Sequence, residues 1–399
     1  MNEPNIEQAF NSLFDWCRRH DFAGYDPFDA LNSRVFQATP LRHSRTARLL
    51  WTQICKRSPL NLRPLALIPA QKNSKGLALF ALAALSNYRR LTTTEAGSEA
   101  QRLLDQLLAL RIEGYSGAAW GYNFPWQSRN FFAPVGTPTI VPTAFAVRAL
   151  LEGYESFNED NYLQVARSAS DFIINDLKRT VESNEEVCFS YSPGDDTRVF
   201  NASLLAAESL ASVGAHTGEA ELSQLARRAA RYVIGQQRND GSWPYGAGAK
   251  QSWTDSFHTA YVLLSLSRIS RLTNLSDEDS DRALRQGYGY WRESFLLADG
   301  WPKYYHDTLY PADAHAAATA IVTLVELKDL DAGSLAIAEK LASWTISKLR
   351  DQRGFFYYQR RHFHTVRTPF MRWTQAWMLY ALGRLLEEQA PVTQAVSLR

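Results

Sequence analysis

The sequence predicts an all-α protein in which six helical hairpins close into an (α/α)6 toroid, with a short N-terminal helical extension. In each repeat an aromatic-rich turn crosses a polar loop and leads into an apolar helix. Successive helix starts are 57 to 59 residues apart, and an even period of this length predicts one hairpin plus one long loop per repeat. The aligned starts are Pro142, Phe200, His258, His315 and Thr374. A less regular copy of the repeat leads into the apolar run 77–85 and brings the number of repeats to six.

The N-terminal region differs from the repeats. Residues 4–19 place apolar side chains at helical spacing, which predicts an amphipathic helix, and residues 21–40 are rich in turn-forming residues. We therefore expect an extension over 1–40, a toroid domain over 41–390 and a tail over 391–399.

The first helix of each predicted hairpin has one apolar face. Leu222, Leu225 and Val233 form one stripe, whereas Arg227 and Arg231 occupy the other face. This pattern is typical of helices that face solvent on one side. The predicted outer helices are 44–57, 96–112, 160–178, 220–236, 280–296 and 332–349.

The second helix of each hairpin is apolar or small on every face, which predicts burial among other helices. The long loops all precede these inner helices, so their positively polarised N-termini converge on one central funnel. We expect the functional site there. The predicted inner helices are 75–89, 140–154, 199–213, 255–271, 313–328 and 371–387.

Composition narrows the function classes. The chain has 399 residues, 45% of them hydrophobic, and a net charge of +2, which gives no indication of nucleic acid or membrane binding. Cys17, Cys55 and Cys188 lack metal-ligand or disulfide spacing, and we expect neither a metal nor a cofactor. No secretory signal is present, and the run 77–85 is too short to span a bilayer. A cytoplasmic location is expected.

Two acid and imidazole pairs lie at predicted inner-helix starts. Asp255 with His258, and Asp313 with His315, come from successive repeats and reach the same mouth of the ring. Paired carboxylates serve glycosidic hydrolysis as acid and base or nucleophile, so these four residues are the catalytic candidates. The alternative is that both aspartates are helix caps.

Aromatic side chains follow the glycine turns. Flat rings with a polar edge suit sugar faces, although the tryptophans alternatively fill gaps between hairpins. The candidates for substrate binding are Trp126, Tyr191, Trp243, Tyr245, Tyr304 and Tyr357.

Basic residues also concentrate in the loops, including Lys75, Arg129 and Arg372. They predict an anionic glycan substrate, although pairing with loop acids explains part of the cluster. Asn201, at another helix start, would hydrogen-bond a substrate carboxylate or cap its helix.

The turn 237–243 resembles the QW-type turn of terpenoid cyclase and protein prenyltransferase toroids. The hairpin count and carboxylates equally resemble the six-hairpin glycosidase, lyase and uronyl epimerase toroids. Over about residues 60–387, the helix starts look like a bacterial toroid family found among polysaccharide biosynthesis proteins. The stretch 372–375 takes part in that likeness, which adds Gln375 to the substrate-binding candidates. The resemblance implies a pathway more than a reaction.

Isoprenoid chemistry is disfavoured by departures from those families. The cyclase motif Asp-x-Asp-Asp has only a partial counterpart at 277–280, before an outer helix, and the magnesium-binding Asp-Asp-x-x-Asp is absent. The cysteines do not lie in the loops that carry the prenyltransferase zinc site.

The leading hypothesis is a carbohydrate-active enzyme of surface or exopolysaccharide metabolism that binds an anionic glycan in the funnel, with hydrolysis favoured. The alternatives are a uronyl C5-epimerase or polysaccharide lyase, with His258 or Tyr191 as base, a non-catalytic glycan-binding accessory protein, and an isoprenoid cyclase-like enzyme. The accessory protein would use the aromatic funnel without the acid and imidazole pairs.

Overall fold

A computed structural model of the chain describes residues 5–128, 132–275 and 277–390, and within them helices dominate. The helices, in chain order, are α1 (Ile6–Arg19), α2 (Arg34–Gln37), α3 (Arg45–Arg57), α4 (Ser74–Leu91), α5 (Thr94–Leu108), α6 (Ile140–Phe157), α7 (Asp160–Asn175), α8 (Phe200–Thr217), α9 (Ala220–Ile234), α10 (Ser256–Thr273), α11 (Glu278–Phe295), α12 (Ala314–Glu326), α13 (Ser334–Leu349) and α14 (Trp377–Gln389).

The inner helices close into a ring, which confirms the predicted toroid. Among the described helices, α4, α6, α8, α10, α12 and α14 each pack on the next, and α14 packs on α4 to complete the circle. Their apolar side chains are buried nearly all round. A six-residue π-helical turn, Met371–Ala376, precedes α14 at the last inner-helix start.

The outer helices lie in the grooves between neighbouring inner helices. Helix α9, for example, packs on α8 and α10 and buries Leu222, Ala226 and Val233, while Arg227 and Arg231 remain on its other face. The predicted amphipathic pattern is therefore present. Helices α5, α7 and α13 have equivalent positions, and α11 packs on α10 and α9.

The helix predicted at 44–57 forms as α3, but the prediction that it is the first outer helix of the ring is wrong. Helix α3 packs on short turns of residues 29–43 and on the loop strand at Trp126. Helix α1 instead lies against α13 and α14, and Arg18 pairs with Glu99 of α5. The sequence period did not reveal this exchange, because residues 27–72 interrupt the first repeat. The division into 1–40, 41–390 and 391–399 stays a prediction.

A repeated backbone hydrogen bond joins the inner helices α6, α8, α10 and α12 to the aromatic turn of the next repeat. The first backbone N–H of α8 donates to the Tyr245 carbonyl at 3.1 Å, and that of α10 donates to the Tyr304 carbonyl at 3.0 Å. Helix N-termini have N–H groups without intrahelical partners, so these bonds satisfy one at each start. At the last start, Met371 N–H donates to the Tyr25 carbonyl at 2.8 Å. The turn at Tyr25 therefore acts as the aromatic turn of the first repeat.

Short strands stiffen the loops at this end of the ring. Each pair is antiparallel, and the third group has the order β5-β6-β7. The strands are β1 (Trp126–Gln127), β2 (Phe132–Ala133), β3 (Arg179–Glu182), β4 (Val187–Phe189), β5 (Ala312–Asp313), β6 (Gln359–Arg360) and β7 (Thr365–Val366).

None of the helices in the described residues combines the length and apolar character needed to cross a bilayer.

The tryptophans of the glycine turns fill the wall between hairpins. Trp243 is 2% exposed and donates its indole N–H to the Val233 carbonyl at 2.8 Å. A methyl group added at Gly287 of α11 would lie 2.3 Å from its ring. The alternative packing role is therefore the one that the structure supports for Trp243.

We expect Gly287→Ala to lower the free energy of unfolding by about 1–3 kcal/mol, because the close-packed Trp243 ring must shift. Gly289→Ala is the matched control on the same helix, since no atom lies within 4 Å of its added methyl group. It should be neutral or stabilising, because alanine favours helix. Urea unfolding followed by circular dichroism checks both variants. Equal stability of the two would contradict this packing.

Candidate functional site

Asp255 and His258 form a directly bonded pair at the start of α10. Asp255 caps the helix by accepting the His258 N–H at 2.8 Å through Oδ1, and its Oδ2 lies 2.8 Å from His258 Nδ1. A carboxylate only accepts, so Nδ1 carries the proton. The aspartate is buried, whereas the imidazole side chain is 21% exposed. Its Nε2 has no hydrogen bond to another residue of the described chain.

A second imidazole lies deeper in the ring. His315 is buried at the start of α12, and its Nε2 lies 2.8 Å from the hydroxyl of Tyr261. Among the described residues its Nδ1 has no partner. Burial, followed by the charges of Lys75 and Arg372, lowers the pKa of His315 well below its usual value. The ring is therefore neutral at physiological pH.

Lys75 continues the series of side-chain hydrogen bonds from His315 and Tyr261 across the axis of the ring. Its Nζ donates to the Tyr261 hydroxyl at 3.2 Å and lies 4.5 Å from the centroid of Phe145 and 5.4 Å from that of Trp377. No carboxylate of the described residues lies within 4.0 Å of it. Burial, followed by the nearby Arg372 charge, lowers its pKa well below its usual value. A bound anion would restore the ammonium charge.

Arg372 is buried and already paired. Its Nε and Nη2 donate to the two carboxylate oxygens of Asp26 at 2.6 and 2.8 Å. The guanidinium also lies 5.0 Å from the ring centroid of Tyr122. This pair joins the last inner-helix start to the N-terminal segment. Arg372 therefore shapes the site, but two of its donors are not free for substrate.

Three aromatic residues form one wall beside Arg372. The Tyr122 and Tyr191 hydroxyls are 3.2 Å apart, and the Trp126 and Tyr191 ring centroids are 5.2 Å apart. Burial raises the pKa of both tyrosines, so both stay neutral phenols. Neutral phenols donate and accept hydrogen bonds, as sugar hydroxyls require.

Asn201 lies with His258 in a small cavity at the mouth. Tyr245 and Thr259 also line this cavity, and the Tyr245 ring is 4.7 Å from the imidazole. Asn201 is buried, and its Oδ1 has no partner among the described residues. A buried acceptor without a partner is costly, so a substrate donor would be favoured there.

Asp313 has a different environment from Asp255. Its Oδ1 accepts the His315 and Ala316 N–H groups at 2.8 and 3.2 Å, and its Oδ2 accepts from Gln359 at 2.5 Å. The side chain is fully buried, and this burial raises its pKa to about 6. The cap role considered from the sequence is present at both aspartates, and Asp313 has no exposed oxygen.

Other predicted residues lie around or away from this network. Tyr304 packs on Phe257, and their ring centroids are 5.5 Å apart. The Phe257 centroid in turn lies 4.7 Å from that of His315. Tyr357 instead donates to Asp351 at 2.8 Å, outside the network. Gln375 uses its amide on both backbone groups of Phe356, so it holds the loop rather than substrate. Arg129 lies outside the described residues.

The sequence interpretation missed several residues of the site. Tyr261 lies one helical turn after His258, so the i, i+3 spacing was an available signal. Asp26 and Lys56 had no such signal, because they belong to the interrupted first repeat. Lys56 Nζ lies 5.5 Å from the Trp373 ring centroid, and burial lowers its pKa to about 8.

Within the described residues, no group of three or more histidine, cysteine, aspartate or glutamate side chains is placed to hold a metal ion. Cys17, Cys55 and Cys188 are buried free thiols.

Sequence comparisons gave no match, since no protein-family model matches the chain. No curated protein matches it either.

Solved structures share the fold at low identity. Cellobiose 2-epimerase from Bacillus thermoamylovorans superposes with a TM-score of 0.63 at 13% identity, over 81% of this chain and 90% of that one. The unsaturated glucuronyl hydrolase from a Bacillus species superposes with a TM-score of 0.62 at 12% identity, over 96% of this chain and 95% of that one. The GH76 α-mannanase from Bacteroides thetaiotaomicron superposes with a TM-score of 0.60 at 13% identity, over 79% of this chain and 86% of that one. At such identities the likeness establishes the toroid fold alone.

We expect Asp26→Asn to lower the free energy of unfolding by about 3–5 kcal/mol, because it leaves the buried Arg372 without a counter-ion. Asp21→Asn is the matched control, since Asp21 is exposed and pairs with Lys72 at the surface; its loss should cost at most about 1 kcal/mol. Chemical denaturation measures both. If Asp26→Asn is as mild as the control, the buried pair does not hold the N-terminal segment to the ring.

Proposed function

We propose that the protein is a carbohydrate-active enzyme that moves a proton at a sugar carbon through His258. The observation that carries this proposal is the 2.8 Å contact between Asp255 Oδ2 and His258 Nδ1. It keeps the proton on Nδ1 and leaves Nε2 as the basic nitrogen at the mouth. A carboxylate that sets the tautomer of an imidazole in this way also stabilises the imidazolium that forms during proton transfer.

The first step is proton abstraction from a carbon next to a carbonyl or carboxylate group. Nε2 takes the proton, the C–H electron pair moves towards the carbonyl oxygen, and the imidazolium pairs with Asp255. Delivery of a solvent-derived proton to the opposite face by a second acid gives an epimer. Loss of a leaving group from the adjacent carbon gives a lyase product instead. Both outcomes share the same base.

Nearby groups would stabilise the negative charge that develops on oxygen. Lys75 is a buried amine without a carboxylate within 4.0 Å among the described residues, and a developing anion would raise its pKa and draw it to the charged form. The Tyr122 and Tyr191 hydroxyls provide neutral donors. This environment supports a uronate or another anionic sugar as substrate. Asn201 Oδ1 would accept from a sugar hydroxyl.

Hydrolysis, the reaction favoured from the sequence, is the second candidate. Its support is the Asp313 pKa of about 6, which suits a general acid. Two catalytic carboxylates must both reach the glycosidic bond, yet Asp313 is fully buried and bonded to two backbone N–H groups and Gln359. The site geometry therefore favours proton transfer by His258. The folds shared with an epimerase and with hydrolases are compatible with either reaction. A place in polysaccharide biosynthesis and in the cytoplasm stays a prediction.

We expect the enzyme to incorporate solvent deuterium at a sugar carbon when it is incubated in D2O with uronate-containing oligosaccharides or reducing disaccharides. His258→Gln should lower the exchange rate by about 10²–10⁴-fold. Asp255→Asn should lower it similarly, because it removes the charge that orients the imidazole but retains a residue that caps helices well. Mass spectrometry of the recovered sugar measures the exchange.

The matched control is His216→Gln, since His216 pairs with Glu155 near the C-terminal end of α8. It should exchange at the wild-type rate. Cleavage of the oligosaccharides without deuterium in the product sugar, at a rate abolished by Asp313→Asn, would overturn proton transfer in favour of hydrolysis.

A further inference from the structure

The segment 33–72, which forms most of the interruption of the first repeat, has an unusual charge. It contains eight lysine and arginine residues and no aspartate or glutamate, although the whole chain has 43 basic and 41 acidic residues. Its basic residues are Arg34, Arg42, Arg45, Arg48, Lys56, Arg57, Arg63 and Lys72. Arg63 is buried against Asp29 and Lys72 pairs with Asp21, so the local positive potential, which the near-neutral total conceals, comes from the other six.

The same segment exposes large apolar side chains. Six leucine and isoleucine residues within it are 53% to 81% exposed. Scattered apolar residues are ordinary on a protein surface, but a concentration in one segment marks an interaction site. They are Leu41, Leu50, Ile54, Leu60, Leu65 and Leu67.

Helix α3 is held in place by its other face. Cys55 and Thr52 are buried, and Trp51 donates its indole N–H to the Ala30 carbonyl at 2.9 Å. Leu50 and Ile54, one turn apart, lie on the face that remains open. The exposed apolar surface is therefore a fixed feature of the fold.

The segment lies at one side of the mouth of the ring. Arg48 of α3 donates to Gln127 at 2.9 Å, and the Arg57 carbonyl lies 3.2 Å from His364 Nε2 in the last loop. The neighbouring Phe363 is 92% exposed. The basic and apolar surface thus continues onto the loops that surround the site.

We propose that segment 33–72 is an interfacial binding surface for an anionic lipid bilayer. Cations combined with exposed leucines match a bilayer surface, where the cations meet lipid phosphates and the apolar side chains enter the acyl boundary. A nucleic acid would satisfy the cations but leave the leucines in water. The surface lies beside the mouth, so the bound enzyme would face a lipid-linked sugar; this last step rests on the proposed function.

Flotation of the full-length protein with vesicles tests the proposal without any activity measurement. The protein should bind vesicles of phosphatidylcholine mixed with phosphatidylglycerol, and should not bind phosphatidylcholine alone. The double variant Leu50→Ser and Ile54→Ser should weaken binding about tenfold or more, because it removes apolar insertion. Leu91→Ser is the control, since Leu91 is 43% exposed at the C-terminal end of α4, away from the mouth. Its binding should be unchanged.

A second pair of variants tests the charge. Arg42→Gln with Arg57→Gln should weaken binding by about fivefold for each cation removed. Arg271→Gln with Arg285→Gln removes the same charge from exposed positions outside the segment and should have no effect. Binding should also fall at high salt, which screens the attraction.

Two results would overturn the proposal. One is equal binding to neutral and anionic vesicles, or none to either. The other is a dimer of the wild-type protein, seen by light scattering after size exclusion, that the Leu50 and Ile54 variant converts to a monomer without any vesicle binding; a second copy would then cover the surface.

Discussion

The ring depends on a backbone hydrogen bond that recurs from repeat to repeat. The bond runs from the first N–H of α6, α8, α10 and α12 to a tyrosine carbonyl in the following aromatic turn, and Met371 with Tyr25 continues the series at the last inner-helix start. At the start of α4 the Ser74 hydroxyl donates to the Gly121 carbonyl instead. Closure brings α14 against α4, although these helices are far apart in the chain. The helix starts then surround one axis, which is why Lys75, His315 and Arg372 can share a site.

Some charged groups of this site are paired with a carboxylate, and others are buried without one. Asp26 neutralises Arg372, and Asp255 engages His258. Lys75 and His315 instead surround Tyr261, where burial lowers the pKa of both. Because the counter-ion of Arg372 comes from the N-terminal segment, that segment completes the site as well as the ring. The interruption that follows it supplies the basic and apolar surface beside the mouth.

The repeat period was sufficient to predict the inner helices, since each start is marked by an aromatic turn and an apolar run. It also located Asp255 and His258, whose i, i+3 spacing lies on one helix face. It misplaced 44–57, because the true first turn at Tyr25 is separated from its inner helix by a long interruption. The roles of Gln375, Tyr357 and Asp313 depended on partners in other loops, Phe356, Asp351 and Gln359, and such pairings leave no local signal.

The imidazole tautomer of His258 decides whether this residue can act as the base. In a protein labelled with ¹⁵N-histidine, two-bond correlation spectra distinguish a protonated from a bare ring nitrogen at neutral and higher pH. We expect neutral His258 to carry its proton on Nδ1 with Nε2 bare, and Asp255→Asn to remove this preference. A neutral His258 protonated on Nε2 would contradict it, because the nitrogen at the mouth would then have no lone pair for a substrate proton.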